Sequence, residues 1–119
     1  MVLHIPYPKV KNQLVSMNLW NRLHWNKRKE IKQELKAMLK DWFVEQRSEP
    51  MNAIEFTFRF HRKGNRKFDS INSAPICKVV EDVFTEQGWV KDDDKNRIIL
   101  EPTVFGSDED ILEIIVKEI

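Results

Sequence analysis

From Phe68 to Asp94 the chain reads FDSINSAPICKVVEDVFTEQGWVKDDD, and the residues in it that could do chemistry stand at its two ends and on one side of its middle. Asp69 opens the stretch, Asp92, Asp93 and Asp94 close it, and Lys78 and Asp82 lie four residues apart between them. Carboxylates distant in sequence share a hard divalent cation if a helix and a turn fold one back to the other. Mg²⁺ wants oxygen ligands and takes few of them from protein, and Mn²⁺ accepts the same donors. A cation held in this way polarises a phosphodiester and lowers the pKa of an attacking water. Lys78 is placed to stabilise charge on the phosphorane oxygens, provided its side of the helix turns to the same cleft. The plainer alternatives are a solvated acidic turn and a surface Lys78–Asp82 ion pair worth about a few tenths of a kcal/mol.

The elements that must position these groups are partly legible. A helix spans Ala74 to about Gln87, with Pro75 in its first turn, Gly88 at its end and an apolar stripe of Ile76, Val79, Val80, Val83 and Phe84. Lys78 and Asp82 fall off that stripe and stack one turn apart. Before Asp69 comes a strand, Ala53 to Phe60, where Ile54, Phe56, Phe58 and Phe60 alternate with Glu55, Thr57 and Arg59, and then a basic loop from His61 to Lys67. The acidic run precedes a further strand, about Arg97 to Val104. If those strands are neighbours, the helix between them returns Asp92–Asp94 to the level of Asp69.

A longer helix from Asn26 to about Gln46 carries Ile31, Leu35, Met38, Leu39 and Trp42 at three- and four-residue steps, with Asn26 as N-cap and Ser48-Glu49-Pro50 as its stop. A short strand, VLHI, opens the chain before Pro6. A last strand, Asp110 to Glu118, follows the loop Phe105–Asp108. The order β-α-β-α-β-β predicts one mixed sheet of about four strands with two main helices packed on it, a single α/β (α+β) domain over residues 1–119.

Charge is unevenly spread. Residues 1–67 hold 15 Lys/Arg against six Asp/Glu, and residues 68–119 hold five against 13. The basic half offers phosphate contacts from Lys27, Arg28 and Lys29 on the long helix and from Arg62, Lys63, Arg66 and Lys67 beside Asp69. The alternative is that the two halves pair with each other across the fold. Trp20 and Trp25 could stack on bases or serve packing, and His24 could be a base or a satisfied histidine. Cys77, alone and among apolar neighbours, reads as a buried inert thiol. No apolar run reaches the ~20 residues of a membrane span, and the N-terminus lacks the pattern of a signal peptide.

The pattern Asp69-x-x-Asn72-x-x-Pro75-x-x-Lys78-x-x-x-Asp82, then Gly88, then Asp92-Asp93 four and five positions later, resembles the RusA family of Holliday-junction resolvases. Asn21, His24 and the basic helix after them resemble the family's N-terminal segment. The resemblance implies a homodimeric, Mg²⁺-dependent endodeoxyribonuclease of phage or prophage origin, working in the cytoplasm of a bacterial host and cutting four-way DNA junctions by paired symmetric nicks. It implies that Asp69 is the first metal-binding aspartate, Asp93 the essential aspartate after the glycine turn with Asp92 beside it, Lys78 the active-site lysine and Asp82 the helix aspartate. The family's Asp-x-Asp-Asn is Asp69-Ser70-Ile71-Asn72 here. Either Asn72 serves as a neutral ligand or Asp82 completes the set, and a catalytically impaired junction-binding protein of the same fold is the alternative function.

Overall fold

A computed structural model describes residues 1–46 and 49–119. Its centre is the strand β4, Ile54–Lys63, whose Ile54, Phe56, Phe58 and Phe60 are at most 1% exposed while the residues between them are half-buried. Such alternation is the mark of a strand with one face on a core. Antiparallel to β4 along its length runs β7, Ile111–Glu118, and β1, Val2–Pro6, lies beyond β7. On the other side β4 pairs in parallel with β5, Arg97–Leu100, and farther along with β6, Val104–Ser107. The result is a mixed sheet in an α+β domain, as the element pattern predicts, with five strands among the described residues where about four were expected.

Three helices accompany the sheet: α1, Met17–Arg22; α2, Trp25–Gln46; and α3, Ala74–Glu86. The stripe Ile76, Val79, Val80, Val83 and Phe84 of α3 is buried with Ile31, Leu35, Leu39, Trp42 and Phe43 of α2 against the Phe face of β4. Phe84 stands edge-on to both Phe56 and Trp89, with ring centroids 5.0 and 5.1 Å away. Gly88, at φ +70°, closes α3: its N–H donates to the Thr85 carbonyl at 3.1 Å, and the Trp89 N–H donates to the Phe84 carbonyl at 3.0 Å. This is the paired-bond ending that a left-handed glycine permits, with Trp89 packed on Phe84 as its apolar contact.

Four expectations are corrected. The N-cap of α2 is His24, not Asn26: the His24 carbonyl accepts from the N–H groups of Lys27 and Arg28, and its Nδ1 accepts from the Asn26 N–H at 3.2 Å. The segment His61–Lys63 continues β4, so the basic loop shrinks to the turn at Gly64 and the residues after it. The strand expected over Arg97 to Val104 divides into β5 and β6 around Pro102, which has no N–H for a ladder, and β6 takes up much of the expected loop Phe105–Asp108. The chain also contains α1, capped by Ser16, and a hairpin of β2, Lys9–Val10, with β3, Gln13–Leu14. Both were invisible to periodicity because six residues, or two, are too few to show one. Ser48, part of the expected stop of α2, lies outside the described residues. Among the described residues no helix is long and apolar enough to cross a membrane.

Candidate functional site

Asp69 sits where the chain leaves the sheet past the C-terminal end of β4. Phe68 is fixed first: its ring packs against Phe60 and Tyr7, at 4.7 and 5.7 Å, and its carbonyl accepts from the Thr103 hydroxyl at 2.7 Å. Asp69 then caps a 3₁₀ turn over Ser70–Ser73, with one carboxylate oxygen accepting from the Ile71 N–H at 3.2 Å. Asp69, Ser70 and Asn72 line one open cleft of about 690 Å³ together with Lys67, Thr103 and Phe105. The exposed carboxylate, the Asn72 carboxamide and the Ser70 hydroxyl form a set of hard oxygen donors. That set fits Mg²⁺, which keeps several waters and needs only one or two carboxylates when a substrate phosphate completes its shell.

The acidic run lies elsewhere. The Lys91 N–H donates to the Met51 carbonyl and the Asp92 N–H to the Asn52 carbonyl, both at 2.8 Å, which ties the run to the start of β4. Asp92 pairs with Lys95 at 3.4 Å, and Asp93 and Asp94 open a 3₁₀ turn leading into β5. Thr103, which holds Phe68, is next to the Val104 that pairs with His61. From the level of Asn52 to that of Phe60 is roughly 25 Å at the ~3.3 Å rise of a strand. The expectation that the helix returns Asp92–Asp94 to the level of Asp69 is therefore corrected. The strands are neighbours, but parallel, and a crossover helix between parallel neighbours must carry the chain back to the opposite end of the sheet. Within one chain the run cannot share a cation with Asp69. Among the described residues no group of three or more His, Cys, Asp or Glu side chains is arranged to hold a metal ion.

Lys78 and Asp82 do stack on one side of α3, at 3.4 Å, but the closer partner of Lys78 is Glu81 at 2.6 Å. The Glu81 hydrogen bond holds the Lys78 pKa above its ordinary value. Lys78 is thus a fixed positive charge rather than a base. The Cys77 thiol is 1% exposed and burial pushes its pKa up to about 12, so it is inert.

The basic residues divide into committed and available groups. The Arg62 guanidinium is bound to the buried Asp110 carboxylate at 2.7 Å, and Arg28 donates to the Trp20 carbonyl at 3.1 Å with its guanidinium over the Trp20 ring. Lys27 pairs with Glu30. Lys29, Lys63, Arg66 and Lys67 are exposed, and their side chains have no ion-pair partner among the described residues. Lys63, Arg66 and Lys67 immediately precede Asp69 in the chain. The uneven charge of the two halves is answered in part by pairs between them: Arg59–Glu113, Arg62–Asp110, Lys9–Asp110 and Lys32–Glu86.

Set beside known proteins, the chain matches no family model and no curated protein with significance. The site therefore has to be read from its own residues.

One cluster escaped the sequence reading. On the sheet face away from the helices, Glu113 of β7 meets His61 at 2.8 Å, Arg59 at 3.2 Å and His4 at 3.5 Å. The only signal was a charged residue alternating with Leu112 and Ile114, which any half-exposed strand shows. The His61 hydrogen bond, helped by His4 and Arg59, holds the Glu113 carboxyl below its ordinary 4.5. A carboxyl with a depressed folded pKa contributes stability above its unfolded value and loses it as pH falls through the folded one. Urea midpoints are expected to fall as the pH drops below about 4.5, and to fall less steeply in Glu113→Gln. Equal slopes in the two proteins would refute the pairing.

Proposed function

We propose that the chain is a Mg²⁺- or Mn²⁺-dependent, structure-selective endodeoxyribonuclease that nicks four-way DNA junctions as a homodimer, in the manner of the RusA family it resembles. The observation that carries this reading is the Asp69 cleft, where oxygen donors from Asp69, Asn72 and Ser70 follow closely in the chain on the exposed cations Lys63, Arg66 and Lys67. A bound divalent cation supplies charge neutralisation at the phosphodiester and a more acidic attacking water. Asp69 binds that ion, Asn72 supports it as a neutral oxygen donor, and Lys63, Arg66 and Lys67 hold the flanking phosphates in register. Such contacts suit a branched substrate, because phosphate contacts fix position without reading bases.

The separation of Asp92–Asp94 from Asp69 favours a second reading, a protein of the same fold that binds branched DNA without cutting it. A labelled four-way junction decides between them. The first reading expects paired nicks with Mg²⁺, none with EDTA, and none from Asp69→Asn, which still binds. Equal binding with Mg²⁺ and EDTA, with intact junctions throughout, would establish the second.

A further inference from the structure

Helices α2 and α3 cover the Phe face of the sheet. Among the described residues no helix packs on the face formed by Glu55, Thr57 and Arg59 of β4 with Glu113, Ile115 and Lys117 of β7. Strand register sets these side chains in rows. Val2, Ile115, Thr57 and Ile99 form one row across β1, β7, β4 and β5. Val2 is 51% exposed and Ile99 39%, whereas Phe56 and Phe58 on the opposite face are buried. Lys117 stands opposite Glu55 on one side of this apolar row, and Glu113 opposite Arg59 on the other. The four charges make a checkerboard: each row and each strand holds one of either sign.

We propose that this face receives a second copy of the chain, about a two-fold axis running across the strands through the Val2–Ile115–Thr57–Ile99 row. Such an axis lays the apolar row on its own copy, which removes four half-exposed side chains per chain from water. It also sets Glu55 against Arg59 of the second copy and Glu113 against Lys117 of the second copy, so that unlike charges meet at all four places. A two-fold contact has to be self-complementary in this sense, and face-to-face sheets with strands nearly aligned, ~10 Å apart, are a stable packing. Arg97 beside Glu55 adds positive charge near that acid, and His4 and His61 lie against Glu113. The inference rests on the two-subunit part of the proposed function and not on its chemistry. It adds one consequence: because the axis reverses strand direction, the Asp69 end of one sheet lies at the same end of the assembly as Asp92–Asp94 of the other.

Light scattering and sedimentation test it without DNA. The intact protein is expected to be a dimer, and Ile115→Lys to weaken association at least about 100-fold by burying a charge in the core of the contact. Val2→Lys, on an exposed edge position that the fold does not need, is expected to act in the same direction with an unchanged far-UV spectrum. Glu55→Lys and Arg59→Glu are each expected to weaken the dimer by about 10-fold or more through opposed like charges. Mixed in equal amounts, they are expected to associate again. A monomeric wild type would overturn both this interface and the two-subunit reading. A dimer untouched by Ile115→Lys and Val2→Lys would overturn the interface and leave that reading standing. Failure of the mixture to re-form dimers would overturn the axis.

Discussion

Asp110→Ala is expected to cost about 3–5 kcal/mol of folding stability, the usual loss when one partner of a buried ion pair is removed and the other is left behind. The Asp110 carboxylate is 4% exposed and receives Arg62 Nη1 at 2.7 Å, the Lys63 N–H at 2.8 Å and Lys9 Nζ at 3.1 Å. Burial opposes its charge, but these three donors more than offset that and hold its carboxyl below the ordinary 3.8. Arg62 is itself only 12% exposed, and its Nε has no partner among the described residues. Removing the carboxylate therefore strands a guanidinium that water barely reaches, together with a backbone donor, while the more exposed Lys9 simply turns outward. The tie also joins the end of β4 to the start of β7 and to the β2–β3 hairpin, so local loosening spreads to three elements. Urea unfolding measures the cost. Asp110→Asn keeps an acceptor for the Lys63 N–H and is expected to lose less. A loss under about 1 kcal/mol in the alanine variant would mean that the Arg62 guanidinium reaches solvent once freed.

Asp110 also illustrates which parts of this molecule sequence could reveal. Helix α3 and strand β4 were legible because each repeats one period over many residues; Gly88 also marked the end of α3, whereas β4 runs three residues past its expected end at Phe60. The pairing of Lys78 with Asp82 followed from helix geometry alone. Long-range partners were not legible. Asp110 read as the first residue of a strand, and nothing local marks it as the counter-charge of Arg62, 48 positions earlier. The same holds for the direction of pairing. Ala53–Phe60 was correctly expected to be a strand, and the start of Arg97–Val104 forms β5 before the chain breaks at Pro102, but whether neighbours run parallel or antiparallel is decided by the connection and by what else fills the sheet. Here β7 takes the antiparallel place beside β4, which leaves β5 the parallel one and sends Asp92–Asp94 to the far end. The His24 cap was missed for a different reason: Asn26 is the better cap by residue type, yet the helix starts earlier and the ring nitrogen of His24 accepts the orphan N–H of Asn26 itself.

Asp69→Asn is expected to reduce junction nicking by about 10²-fold or more, at least ~2.7 kcal/mol at 1.36 kcal/mol per decade, with junction binding retained. The amide keeps the shape and can still accept from the Ile71 N–H, but it removes the single carboxylate that faces the cleft. Asp93→Asn is the more informative companion. In one chain Asp93 is roughly 25 Å along the strand direction from Asp69, so it cannot act on the same phosphate from there. The resemblance nevertheless implies that Asp93 is essential. Both statements hold together if the second chain supplies it, since the proposed two-fold brings Asp93 of the second copy to the same end of the assembly as Asp69. The expected result is that each variant alone fails to nick and that an equimolar mixture recovers up to about a quarter of the wild-type rate, since half the dimers are mixed and each has one complete site. Those products are expected to be single nicks rather than resolved junctions, because only one strand meets an intact site. Full activity in Asp93→Asn would instead confine the chemistry to the Asp69 cleft of a single chain. Inactivity of both variants without recovery on mixing would mean that Asp93 serves through a rearranged chain and not through a partner.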